Sequence, residues 1–148
     1  MFKHILVPTD GSELSQQTAR QAIAFAKEID ARITFFSARP QYHTDAYSGE
    51  SALIDFVTPE EFNAETEHKA KHVLDEVCQA GAEAGVRCTS CSAISETPYK
   101  AIIDAAESNA CDLIFMASNA RKGLSGIIMG SQTNKVLTNS KIPVLVYR

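Results

Sequence analysis

The sequence predicts a three-layer α/β sandwich built on a five-stranded parallel sheet. Three observations predict it. Short apolar runs of strand type alternate from end to end with stretches of helical period. Cap and turn residues punctuate the boundaries between them. The composition, 45% hydrophobic and 22% charged over 148 residues, is that of an ordinary globular domain. Strands joined through helices pair in parallel by right-handed crossovers, which puts helices on both faces of the sheet. With no internal repeat, low-complexity tract or linker, residues 1–148 read as a single domain.

Each element has its own justification. "HILVPTD" (4–10) is a short apolar run closed by Pro8, Thr9 and Asp10, as expected of a buried strand. Gly11 and Ser12 follow, and Ser12 is a good N-cap. Leu14, Thr18, Ala22, Phe25, Ala26 and Ile29 then recur at helical spacing, predicting a first helix of about 18 residues. "ARITFFSA" (31–38) is the second strand. Residues 39–57 show no period, and so long a connection in a compact domain reads as a lid or insertion. Thr58-Pro59-Glu60-Glu61 starts the second helix, with Thr58 as N-cap, Pro59 at the first helical position and Glu61 completing a capping box. That helix ends near Gly81–Gly85. "VRCTSCSAI" is the third strand, Thr97-Pro98 opens a third helix, and "CDLIFMAS" is the fourth strand. A fourth helix runs from about Ser131 to Asn139, and "IPVLVYR" closes the sheet.

Several function classes recede at once. The longest apolar runs fall far short of a membrane span, and the chain enters its first strand without a signal-peptide pattern, so a cytoplasmic location is expected. The net charge of −4 argues against a general nucleic-acid binder. Its distribution says more. Residues 113–148 hold Arg121, Lys122, Lys135, Lys141 and Arg148 with no carboxylate, leaving nine cations against eighteen carboxylates elsewhere. An acidic body with a basic end suggests a local anion site. Cys88-Thr-Ser-Cys91 has C-x-x-C spacing, but residues three apart in a strand point to opposite faces, so the pair reads as structural. His68 and His72 would share a helical face with no third ligand nearby, and no metal site is expected.

In open parallel sheets ligands bind beyond the carboxyl ends of the strands, where strand order reverses. Two such ends carry suitable residues: Pro8-Thr9-Asp10-Gly11-Ser12, and the stretch from Ala117 to Ser131, "ASNARKGLSGIIMGS". If strands one and four are neighbours, Asp10 faces a basic loop. The N–H groups of Gly130, Ser131 and Gln132, with the helix dipole, would favour a phosphate between them. Arg121 or Lys122 could screen its charge, and Asp10 suits a ribose hydroxyl or a metal bridged to phosphate. The same residues also read as an ordinary turn and cap. No Lys follows Gly130, and neither G-x-x-x-x-G-K-[ST] nor G-x-G-x-x-G is present.

"ILVPTDGS" and "CDLIFMASNARKGLSGIIMGSQTNKVLTNSKIPVLVYR" resemble the opening and closing segments of the universal stress protein family, and the resemblance extends over essentially the whole chain. It implies the strand order 3-2-1-4-5 of a Rossmann-like, adenine-nucleotide-hydrolase-like fold, with strands one and four adjacent. One branch of that family binds ATP through G-x2-G-x9-G-[ST], and another lacks the pattern. Here the pattern falls on Ala117, Ala120, Gly130 and Ser131: the Gly-Ser and the spacing match, whereas both leading glycines are alanine. The resemblance implies that Asp10 contacts ribose, Pro8 and Thr9 lie by the base, and Ala38 offers backbone to the adenine. Met116, Ala117 and Ala120 would line the ribose–phosphate path, and Gly130, Ser131, Gln132 and Thr133 would hold the phosphates.

An alanine forced into left-handed backbone would cost about 1–2 kcal/mol, roughly one to two decades of affinity per strained position. The expected function is therefore an adenine-nucleotide-binding regulatory module of the stress response, with ATP and Mg²⁺ as ligand and at most slow hydrolysis, since no general base besides Asp10 is evident near the loop. The competing expectation is a dimeric interaction protein with a degenerate pocket. An apolar final strand at the sheet edge, and the habit of the family, imply a homodimer through Ile142, Val144 and Val146; neither a nucleic-acid nor a membrane partner is expected.

Overall fold

The computed structural model describes residues 1–43, 57–118 and 130–148. Its elements follow the chain as β1 (His4–Pro8), α1 (Glu13–Glu28), β2 (Arg32–Arg39), α2 (Pro59–Glu83), β3 (Cys88–Ile94), α3 (Pro98–Ser108), β4 (Leu113–Ala117), α4 (Gly130–Asn139) and β5 (Val144–Tyr147). The five strands form one parallel sheet in the order β3-β2-β1-β4-β5. Central strands β1 and β4 are buried at every position, as strands covered on both faces must be.

Two hydrophobic clusters flank the sheet. On one face Ile5, Val7, Ile33 and Phe35 meet Ala19, Ala22, Ile23 and Ala26 of α1 and Leu74 and Val77 of α2. On the other, Leu6, Phe36, Ile114 and Met116 meet Ala101, Ile102 and Ala106 of α3 and Val136 of α4. Alternate residues of one strand feed opposite clusters, so a one-residue slip in register would empty both.

Local chemistry sets the helix boundaries. Ser12 accepts the Ser15 N–H at 3.2 Å at the start of α1. Thr58 and Glu61 exchange both bonds of the capping box, at 3.1 and 3.0 Å. The core-facing stripe of α1 holds the expected Thr18, Ala22 and Ala26 and adds Ser15, Ala19 and Ile23, whereas Leu14, Phe25 and Ile29 are half-buried. Small residues let the helix lie close to the sheet, and the larger ones seal its margins. The hydroxyls of Ser15 and Thr18 are satisfied by the carbonyls of Ser12 and Leu14, so their burial leaves no orphan donor.

Candidate functional site

β1 and β4 lie side by side, with Ile5 opposite Leu113 and Leu6 opposite Ile114. The chain leaves β1 towards β2 on one side and meets β4 on the other, so their carboxyl ends define the switch point at which ligands bind in such sheets.

On the β1 side, Pro8 and Thr9 are buried. The Thr9 N–H donates to the Phe36 carbonyl at 2.8 Å, and its hydroxyl donates to Ser15 Oγ at 3.1 Å. These two residues supply shape and backbone, not free polar groups. Asp10 is exposed, and its Oδ1 accepts the Ser12 N–H at 2.9 Å. The carboxylate is thereby oriented, and with four lone-pair sites over two oxygens it retains acceptor capacity for a hydroxyl. Gly11 makes the turn at φ +80°, where a Cβ would also stand 2.8 Å from Val73 Cγ2 of α2. At the end of β2, half-buried Ala38 pairs with Ala93 of β3.

On the β4 side, Met116 and Ala117 are 1% and 3% exposed. Ala117 is paired with Tyr147 inside the sheet, and the residues of left-handed backbone are Gly11, Asp30, Gly85 and Ala110 among the described residues. The left-handed strain considered for this position is therefore not incurred. Ala120 and Arg121, like Lys122, lie outside the described residues. Beyond them α4 begins at Gly130, Ser131 is exposed, and Gln132 is half-buried. The side chains of Gln132 and Thr133 turn inward. Thr133 Oγ1 donates to the Ala117 carbonyl at 2.8 Å, and Gln132 Oε1 accepts the Tyr99 N–H at 3.1 Å. At Gln132 it is the backbone amide, which first-turn geometry leaves without an intrahelical acceptor, that can meet an anion; Thr133, the fourth helical residue, has an amide that begins the helix's own ladder and a hydroxyl bonded to Ala117, so it anchors the turn to β4.

Tyr99 was not among the sequence candidates. No local signal could have found it: Thr97 reads as a cap but makes no side-chain cap bond, and the acceptor comes from another helix. His43 pairs with Glu96 at 3.0 Å across the loops after β2 and β3, with both side chains exposed.

A groove of about 420 Å³ lies apart from this crevice, between edge strand β3 and α3, with Phe36 and Ala101 at its base and Lys100 and Asp104 on its rim.

The thiols carry no activation. Cys88 packs on the α1/α2 cluster and Cys91 on the α3/α4 cluster, on opposite faces as the strand period requires. Burial, with the neighbouring Cys78 adding to it, pushes the Cys88 thiol up to about 11, and burial also raises Cys78 and Cys91. All four cysteines are free. His72 lies 3.8 Å from Glu76 on the exposed face of α2, and no cluster of three or more metal-ligating residues forms among the described residues.

The sequence profile of the universal stress protein family matches residues 1–148. The chain is 32% identical to universal stress protein MJ0531 of Methanocaldococcus jannaschii, over all of this chain and 83% of that one. It is 30% identical to universal stress protein YxiE of Bacillus subtilis over the whole of both chains. Solved structures share the fold. A universal stress protein in complex with cAMP superposes with a TM-score of 0.69 at 20% identity, over 99% of this chain and 97% of that chain. One from Archaeoglobus fulgidus in complex with dAMP gives 0.67 at 15%, over 100% and 98%. One from Arabidopsis thaliana with AMP bound gives 0.67 at 14%, over 97% and 90%.

Proposed function

The chain belongs to the universal stress protein family, and we propose that it is an adenine-nucleotide-binding regulatory module of the stress response, with ATP and Mg²⁺ as its ligand. The observation that carries this reading is the first turn of α4 tied to the carboxyl end of β4, the strand paired with β1, whose own carboxyl end leads to the exposed Asp10. The amides of Gly130, Ser131 and Gln132 hold the phosphates, reinforced by the positive end of the helix dipole, and Thr133 holds their turn against β4. Asp10 takes a ribose hydroxyl, Ala38 offers backbone to the base with Pro8 and Thr9 beside it, and Met116, Ala117, Ala120 and Arg121 line the path between. That relatives of the same fold were solved with cAMP, dAMP and AMP supports an adenine nucleotide as the ligand class. Hydrolysis is at most slow, since Asp10 is the one carboxylate at the two strand ends among the described residues that could act as a base. We place it in the cytoplasm, where four free cysteines stay reduced, as a homodimer joined through β5.

Isothermal titration of Mg·ATP into protein stripped of co-purified nucleotide tests this, with Gly130→Asp as control. Saturable micromolar binding, abolished when a carboxylate occupies the anion position, is the expected result. A stripped wild type that takes up no heat sinks the reading and leaves a dimeric scaffold with a closed pocket.

A further inference from the structure

We propose that Gln132 is a positioning residue that locks the first turn of α4, and with it the phosphate-facing amides, onto the N-terminus of α3; the inference rests on the nucleotide reading above. α3 starts without a cap of its own. Thr97 supplies no side-chain bond, and Pro98, at the first position, has no N–H. The first orphan donor of this helix is therefore the Tyr99 N–H, and it is met by Gln132 Oε1 at 3.1 Å. One turn further along α4, the Lys135 ammonium lies 5.7 Å from the centre of the Tyr99 ring.

The first turn of α4 is thus fixed from two directions. Thr133 ties it to the last carbonyl of β4, and Gln132 ties it to α3. One bond alone would leave the turn free to rotate about that contact. A second, to a different element, sets its angle. Amide–phosphate bonds weaken steeply as they bend, so this angle governs the phosphate end of the ligand and leaves the nucleoside end alone. The coupling is reciprocal: if the Gln132–Tyr99 bond favours the nucleotide, the nucleotide must favour the bond.

The test compares ATP and adenosine on the full chain. Gln132→Met keeps the length of the side chain and removes the acceptor; Gln132→Asn keeps the amide but falls a methylene short of Tyr99. Each should weaken Mg·ATP by roughly three- to tenfold, as befits one hydrogen bond, and leave adenosine within about twofold. Amide exchange supplies the second readout. ATP should slow exchange at Tyr99 in the wild type, and the variants should lose that protection. Variants that bind ATP like the wild type, or that lose ATP and adenosine in equal measure, overturn the proposal, the latter because a general loss of structure spares neither ligand. A wild type that binds no ATP overturns the nucleotide reading itself. Wild-type binding with indifferent variants overturns the role of Gln132 alone.

Discussion

Gly11 sits where sequence punctuation and tertiary contact coincide. Its φ of +80° forbids a comfortable side chain, and Val73 crowds the space that a Cβ would occupy. Gly11→Ala should cost at least about 1–2 kcal/mol from left-handed backbone, read from urea unfolding; an unchanged midpoint would show that the turn relaxes freely. The glycine was legible as a breaker after a strand, whereas its contact with Val73 was not, because local pattern carries no information about a residue on another helix. His4 is a second case. It is buried at the start of β1, where Nε2 shares a 2.7 Å hydrogen bond with Thr34 Oγ1 and Nδ1 has no well-formed partner. Burial first, then the charge of Arg32, lower its pKa from 6.5, against an opposing pull from Asp112. The unfolded chain therefore takes up a proton near pH 6.5 that the folded chain refuses until lower pH. Stability present above that value is lost as the pH falls through it, down to the folded pKa. Unfolding free energies at pH 7.5 and 5.5 should diverge more for wild type than for His4→Asn; equal slopes would clear His4 of the effect.

Among the elements, β4 and the loop that follows it decide how the departures from the glycine pattern are weighed. A substitution at the first glycine position looked costly in the sequence because that backbone could not be known. Ala117 proves to be the last residue of a buried strand, paired with Tyr147 and 3% exposed, with ordinary backbone. Restoring the family residue should therefore bring no gain. Ala117→Gly is expected to change ATP affinity by less than about twofold, and to destabilise the strand by roughly 0.5–1 kcal/mol through chain entropy. A tenfold gain in affinity would show instead that the methyl intrudes on the ligand. Other elements were legible to different degrees for equally physical reasons. α2 was announced by Thr58, Pro59 and Glu61, because a capping box is wholly local. The buried stripe of α1 was legible at Thr18, Ala22 and Ala26 and missed at Ser15, Ala19 and Ile23; Ser15 enters the core with its hydroxyl satisfied within the helix, which no apolar pattern marks. The cap of α3 was invisible because its acceptor arrives from α4.

At the scale of the molecule, the parallel alternation was legible because each crossover is local and handed, while the order of the strands needed the family resemblance. That order leaves two edges, β3 and β5, and they differ in chemistry. β3 reads Cys-Thr-Ser-Cys-Ser-Ala-Ile, a polar and largely exposed edge that discourages pairing. β5 reads Val-Leu-Val-Tyr and is half-buried throughout. Its backbone polarity can be assigned. The carbonyls of Pro143 and Tyr147 accept from Ile114 and Ser118, so residues 143, 145 and 147 face β4, and Val144 and Val146 present their N–H and C=O groups outward. Leu145 and Tyr147 pack on the α1/α2 cluster, and Ile142 and Val144 on the α3/α4 cluster, with Val146 in neither. An apolar edge with outward backbone donors is a template for a second copy, and two-fold pairing of identical edges closes the assembly at a dimer. Val146→Pro removes one outward N–H and leaves the bonds to β4 in place, a substitution that edge strands tolerate. Sedimentation should give a dimer for the wild type at micromolar concentration and a folded monomer for Val146→Pro. A monomeric wild type would refute the β5 interface, and a variant still dimeric would move the interface to another surface.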